Sequence, residues 1–405
     1  MSTGFVDLGS FCERRIERFS ATTWPRESFV YLDVSAIDAK GKSVSEPRTL
    51  ATKAAPSRAS SVVRAGDILV STVRPNLNAV ARVPPHLDGS VCSSAFAVLR
   101  PLRGDDCDGL FAYVQSPTFT SNLVAAAQGS HYPAVSDDTV FSVAVDLSRW
   151  YRGTKGARLQ AALNEARCAA KLVDDQLAIA RELPTTLLRV DFDGQAAINA
   201  GSHRAGVLLG WNVYLLSELA RLESGHTPSR RHTEWWGGPV PWLALPDIRK
   251  LHGKLAHETT ENINDAGLAN SSARLLPSGT VCVSRTASIG FVTVLRRPMA
   301  TSQDFCNWVC NPERLDPEFL MYAFMGSQES LRELGSGAVH KTIYMPTIQS
   351  FHISAPAIAE QRRIARMLRD QLAAAELLQK RLSERQAEIE RLPQRILAAA
   401  FGEAD

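Results

Sequence analysis

Two stretches of this chain end alike, and the distance between them limits what it can fold into. Leu183-Pro184, Leu187, Leu188 and Phe192 recur as Leu392-Pro393, Ile396, Leu397 and Phe401 at one offset of 209 residues (392 − 183, 396 − 187, 401 − 192). The segments they close, Leu159–Phe192 and Glu360–Phe401, are rich in Ala, Leu, Gln, Glu and Arg, the strong helix formers. Steps of four and three from Ile364 land on Leu368, Gln371, Ala375, Leu378, Leu382, Arg385, Ile389, Leu392 and Ile396, a heptad seam with two polar interruptions. Carried back, the offset sets Leu159 against Leu368 and Val173 against Leu382, seam upon seam. A helix about 60 Å long cannot bury such a stripe inside a compact domain. It needs a second rod, and the chain supplies one. The expected helix–helix seam is Leu159, Val173, Leu183 and Leu187 with Leu378, Ile389, Leu392 and Ile396.

The repeat extends beyond the rods. Gly66 and Ser71 recur as Gly279 and Ser284 (an offset of 213), Phe96 as Phe305 (209), and Gly129, Val140 and Val145 as Gly337, Ile348 and Ile353 (208). In the first copy, Ser28–Val34, Ile68–Ser71, Ala79–Val83, Ala95–Leu99 and Thr139–Val145 read as strands, with a helix over 110–127. In the second, Pro239–Leu245 and Val281–Ser284 read as strands and Phe319–Gly326 as a helix. The expected layout is a globular domain over 1–150, a spacer helix over 151–193 and a linker over 194–210. A second domain over 211–357 and a second spacer helix over 358–402 follow. The fold class is α+β: two similar mixed α/β domains separated by two long helices in an antiparallel coiled coil, with pseudo-twofold symmetry. Such an object holds two look-alike surfaces at a set distance, as half-sites on duplex DNA require.

Composition excludes several classes. A chain of 405 residues with 45% hydrophobic and 21% charged residues is an ordinary globular protein, and no stretch approaches 18 apolar residues, so a soluble cytoplasmic protein without a membrane is expected. The net charge is only +3, so any basic surface must be local. Seven scattered cysteines (Cys12, Cys92, Cys107, Cys168, Cys282, Cys306, Cys310) lack zinc spacing, and no metal is expected.

The second half resembles the specificity subunit of type I restriction–modification enzymes. The residues that carry the likeness are Ser224-Gly225-His226-Thr227-Pro228, Trp235-Trp236-Gly237-Gly238, Pro241-Trp242, Leu276-Pro277-Ser278-Gly279-Thr280 and Ala300-Thr301-Ser302-Gln303. Gly335-Ser336-Gly337 ahead of Ile343 and the helix-opening Glu360-Gln361-Arg362-Arg363-Ile364 complete it. The first half joins through the repeat, but its helix opens with Tyr151-Arg152-Gly153-Thr154 instead. The resemblance implies a non-catalytic DNA reader whose two domains are target-recognition domains for a bipartite site. It implies double-stranded DNA, two adenine-methylating modification subunits and, in the larger complex, two restriction subunits as partners. S-adenosylmethionine would belong to the former, ATP and Mg to the latter, and no cofactor to this chain. Gln361, Arg362, Ile364, Leu368 and Leu382 are the expected subunit-interface residues.

The residues agree with an absence of catalysis. No Asn/Asp-Pro-Pro-Tyr/Phe tetrad is present to hold an adenine amino group, and Pro246-Asp247 is followed by no Glu-x-Lys. Gly335 to Thr342 comes within one residue of a phosphate-binding loop, but His340 stands where a bare Gly is needed. For DNA contact the candidates are Arg74, Asn76, Ser130, His131 and Tyr132 in the first domain, and Thr227, Arg230, Arg231, Arg285, Thr286, His340 and Lys341 in the second. Each cation is equally readable as a solvated surface charge. Trp235, Trp236 and Trp242 read as core packing or as base-stacking platforms. A rival for the whole chain is a coiled-coil protein scaffold that never touches DNA.

Overall fold

A computed structural model describes residues 4–128, 133–192, 197–200, 210–336 and 341–402. The chain divides into two compact units, Met1–Gln176 with Leu382–Asp405, and Leu177–Arg381. In unit 1, β1 (Phe5–Asp7), β2 (Cys12–Glu13) and β3 (Ser28–Leu32) lead to a small hairpin of β4 (Ile37–Asp38) and β5 (Ser43–Val44). Then come β6 (Arg48–Ala51), β7 (Ala59–Val62), β8 (Ile68–Ser71), β9 (Val80–Arg82), β10 (Val91–Ser93) and β11 (Phe96–Pro101). One sheet has the order β6-β3-β10-β7, the other β2-β11-β8-β9. Only β3 and β10 run parallel, with Tyr31 beside Val91. Every residue of β8 is buried, which is why it reads as an unbroken apolar run. Helices α1 (Cys107–Tyr113), α2 (Pro117–Ala126) and α3 (Asp137–Phe141) precede β12 (Ala144–Asp146), which pairs back onto β1.

The long helix α4 (Gly153–Asp191) follows, then β13 (Ile198–Ala200), β14 (Asn212–Leu215), β15 (Ala220–Ser224) and β16 (Trp236–Leu243). Next are α5 (Leu245–Leu251), β17 (Leu255–Ala256), β18 (Glu261–Ile263), α6 (Asp265–Ala269), β19 (Thr280–Ser284) and β20 (Val292–Leu295). The unit continues through β21 (Ala300–Thr301), β22 (Phe305–Cys310), α7 (Pro317–Gly326), α8 (Gln328–Glu333), α9 (Met345–Gln349) and β23 (Phe351–Ala355). Helix α10 (Ile358–Ile389) and α11 (Leu392–Phe401) end the described chain. Within unit 2 the sheet β15-β22-β19-β20-β17 repeats β2-β11-β8-β9 pair for pair and adds one edge strand. The sheet β18-β16-β21 repeats β6-β3-β10, again with its last pair parallel, Trp242 beside Ala300. Strand β23 carries β14 as β12 carries β1.

Local chemistry overrode several expectations. Thr139–Val145 is not a strand throughout: the Ser136 hydroxyl accepts from Thr139 N at 3.1 Å and Asp137 and Asp138 fill the first turn, so a helix forms there first. The helix expected over 110–127 breaks at Ser116, whose hydroxyl caps α2. The linker is not bare coil, because Ile198–Ala200 pairs antiparallel with β23.

The seam of the second rod runs in a different phase. Its inward residues are Leu368, Leu372, Ala375, Gln379, Leu382, Gln386, Ile389, Pro393 and Ile396, so the four-step and three-step alternate the other way, although Leu392 of the expected seam is half-buried as well. Gln371 and Arg385 face solvent and Leu378 is 42% exposed. The cause is that polar side chains can serve a seam when they find partners. The Gln386 amide donates to Asp174 within unit 1, and the Gln379 amide donates to the Ala180 carbonyl at 2.7 Å within unit 2. On α4, Leu159 and Val173 are buried, with Leu183 and Leu187 half-buried.

Each unit takes one rod end into its core. In unit 1, Leu397, Ala400 and Phe401 join Leu110, Phe119, Leu159 and Leu163. In unit 2, Leu188 and Phe192 join Phe319, Leu320, Ile364 and Leu368. This corrects three of the docking residues: Gln361, Ile364 and Leu368 are buried inside unit 2 and present no surface to a partner. Gln361 donates to the carbonyls of Arg314 and Pro356 and accepts from Asp316 N, fastening α10 to the start of α7. Arg362 is exposed and Leu382 half-buried.

Candidate nucleic-acid interface

The hairpin β8–β9 of unit 1 turns through Thr72–Ala79. Two residues without glycine's freedom, Arg74 (φ 48°) and Asn78 (φ 45°), adopt the left-handed conformation on either side of a short turn at Pro75–Leu77. Such backbone costs about 1–3 kcal/mol per residue and persists only where surroundings enforce it. The enforcement is visible. The Asn78 amide donates to the Val114 carbonyl and to the Thr120 hydroxyl, each at 2.8 Å, and the Thr72 hydroxyl donates to the Ala95 carbonyl at 2.9 Å. Arg74 N donates to the Pro133 carbonyl at 2.8 Å, and Ala134 bridges both Val73 and Gln128. The tip is thereby strapped to Pro133 and Ala134, and through Ala134 to Gln128. Asn76 is exposed on it, while Ser130, His131 and Tyr132 lie outside the described residues.

Unit 2 builds the same device. Between β19 and β20, Ala287 is left-handed (φ 58°), Thr286 bridges Thr342, and Thr342 bridges Ser336. Ala287 N donates to the Lys341 carbonyl at 3.1 Å and Ile343 N to the Arg285 carbonyl at 2.9 Å. The backbone thus joins the two residue groups that the sequence had singled out separately. Their roles differ, however. Arg285 folds back, its Nε donating to the Gln303 carbonyl (3.1 Å) and Nη1 to the Ile343 carbonyl (3.4 Å), so it braces the loop. Thr286 is half-buried, with its hydroxyl 3.4 Å from that of Thr342. Lys341 is exposed, and His340 lies outside the described residues.

Near the second sheet of unit 2, Arg230 is also occupied. Its guanidinium holds both oxygens of Glu261 (2.5 and 2.7 Å) and lies 3.8 Å from the Trp236 ring centre. The Arg230 hydrogen bond holds the Glu261 carboxyl below its ordinary range. Arg230 is therefore not a free base reader, whereas Arg231 is exposed. Trp242 is core, with its indole donating to the His226 carbonyl at 3.0 Å; Trp235 and Trp236 are half-buried, the former stacked on His232. The motif pieces around them meet in space. A Cβ on Gly225 would lie 2.1 Å from the Ser302 carbonyl and 2.4 Å from that of Thr301, so only glycine fits. The Thr227 hydroxyl donates to the Gln303 side chain at 2.5 Å. Thr227 thus fastens two loops together.

Sequence reasoning missed Asn78 and Ala287, since a non-glycine residue gives no sign that it will turn left-handed. Among the described residues no cluster of His, Cys, Asp or Glu could hold a metal ion, and no helix is long and apolar enough to cross a membrane.

Comparisons with known proteins point one way. Residues 209–387 match the family described as the type I restriction modification DNA specificity domain. The specificity subunit of the type I restriction enzyme MjaIX from Methanocaldococcus jannaschii is 28% identical over 160 residues, 39% of this chain and 37% of that protein. The HindI specificity subunit from Haemophilus influenzae is 22% identical over 346 residues, 70% of this chain and 74% of that protein. A crystal structure of the HsdS subunit from Thermoanaerobacter tengcongensis superposes with a TM-score of 0.62 at 26% identity, covering 98% of this chain and 96% of that one.

Proposed function

This chain belongs to the specificity subunits of type I restriction–modification systems, and on that premise we propose that it reads a two-part DNA target, one part with each unit. The strapped tip of β8–β9 reads one part, and that of β19–β20 reads the other. The observation that carries this reading is the recurrence of one device in both units: a left-handed hairpin tip bridged to a second loop, with the candidate residues Arg74, Asn76 and Lys341 on it. Donors held on stiff loops can address phosphates and base edges with little loss of freedom.

In this reading α4 and α10–α11 form an antiparallel coiled coil that relates the two units by an approximate twofold axis and sets the unread spacer. The contacts Gln386–Asp174 and Gln379–Ala180, each inside its own unit, support the antiparallel pairing of the helices alone. Two modification subunits dock on the complex and methylate adenine with S-adenosylmethionine, which requires the base to leave the stack. Restriction subunits, with ATP and Mg, join the larger assembly in the cytoplasm. This chain supplies recognition and no catalytic step. With a net charge of only +3, its affinity for DNA rises to a tight, salt-sensitive value only in the complex.

The test is Lys341→Ala and Arg231→Ala in the reconstituted modification complex, read by mapping methylated adenines. Each variant should assemble normally and lose about 1–3 kcal/mol of discrimination at positions in one half of the target. Normal assembly with an unchanged methylation map in both would leave the chain a scaffold.

A further inference from the structure

Unit 1 contains a groove of about 1100 Å³ whose wall includes the β8–β9 tip but whose cations Lys42 and Arg167 the DNA reading does not use. Its walls are the β4–β5 hairpin, Asn76–Asn78, α2, and parts of α4 and α11. Exposed Leu77, Val124 and Ala125 give it an apolar side. Its charges fall into two groups. At one place Lys40 closes on Glu390 at 2.6 Å and Asp174 at 3.8 Å, a cluster that satisfies itself. Elsewhere stand Lys42 and Arg167, both half-buried, with no carboxylate within ion-pair distance among the described residues.

Among the described residues, all the hydrogen-bond partners of these two cations are neutral. The Lys42 ammonium donates to the Asn78 carbonyl and side-chain oxygens at 2.5 and 2.6 Å, leaving one N–H unused. Arg167 donates to Asn164 at 3.4 Å and to the Gln115 side chain. Burial, with a smaller contribution from the Arg167 charge and with Asp38 working the other way, brings Lys42 down to about 8. Burial lowers Arg167 too. Desolvated like charges are costly unless an opposite charge joins them.

We propose that the groove binds a small phosphate-bearing molecule with a flat apolar body, of the nucleoside monophosphate class. Its phosphate lies between Lys42 and Arg167 and its body lies on Leu77, Val124 and Ala125. A DNA backbone is the poorer occupant, since the two cations are recessed and a duplex needs them at an open surface. This site goes beyond the reading of DNA and stands or falls without it.

The experiment is calorimetry on the full chain with AMP, adenosine and inorganic phosphate. AMP should bind at least about tenfold tighter than either fragment, because only it uses both the cations and the apolar wall. Lys42→Met and Arg167→Met should each weaken AMP by about tenfold without lowering the melting temperature, with Lys42→Arg and Arg167→Lys retaining binding as the check on folding. Binding should also weaken as pH rises through about 8, where Lys42 gives up its proton; Asp38, Lys40, Arg167, Lys171, Asp174 and Glu390 are the other charges lining the groove. Equal affinity for AMP and its fragments, AMP binding indifferent to both Met variants, or displacement of AMP by a short duplex at equal phosphate concentration would each overturn the proposal.

Discussion

Pro184 and Pro393 stand in matching Leu-Pro contexts 209 residues apart, yet the chain treats them differently. Helix α4 runs through Pro184 without a break, whereas α10 stops at Ile389 and α11 restarts at Leu392 with Pro393 in its first turn. A proline inside a helix strands the carbonyl four residues before it. For Pro184 that carbonyl is Ala180, and it accepts the Gln379 side-chain amide at 2.7 Å. For Pro393 it is Ile389, and the residue that matches Gln379 in the repeat (379 − 209) is Ala170, which has no donor to give. The two proline sites thus differ in one side-chain amide.

The comparison can be tested at three strengths. The rod ends should be equivalent: Phe192→Ala and Phe401→Ala each empty a buried ring site, 1% and 7% exposed, and each should cost about 3–5 kcal/mol in denaturant unfolding. A large inequality would break the parallel between the two halves. Gln379→Ala should cost about 1–3 kcal/mol in the native background, for it orphans a carbonyl, and almost nothing beside Pro184→Ala, which restores the backbone bond. Equal costs in the two backgrounds would detach the glutamine from the proline. Pro393→Ala should have the smallest effect, within about 1 kcal/mol, because proline is tolerated in a first turn. It should add helical signal across 390–391 in circular dichroism or amide exchange.

Much of the fold was legible because burial writes itself into sequence. β8 and β19 are buried on every residue, and their apolar runs marked one core strand in each unit. The phase of the second rod was not legible: its seam includes Gln379 and Gln386, and a pattern of apolar residues alone passes over amides that find partners. At the candidate interface the right loops were visible, through Gly-rich and Arg-bearing turns. Which side chains remain available was not, because Arg230 is spent on Glu261, 31 residues away, and Arg285 on two backbone carbonyls. Gln361 misled for the same reason: its two bonds to Arg314 and Asp316 ahead of α7 depend on a fold that a linear motif does not display.

The interleaving of the rods with the units sets an order of manufacture. Leu397, Ala400 and Phe401 complete the core that Leu110, Phe119 and Leu163 begin, so the portion that leaves the ribosome first must wait for residues more than 230 positions downstream to be synthesised. Until then it carries an uncovered apolar slot, and the portion made second, whose slot is filled by Leu188 and Phe192 from upstream, is the first able to close.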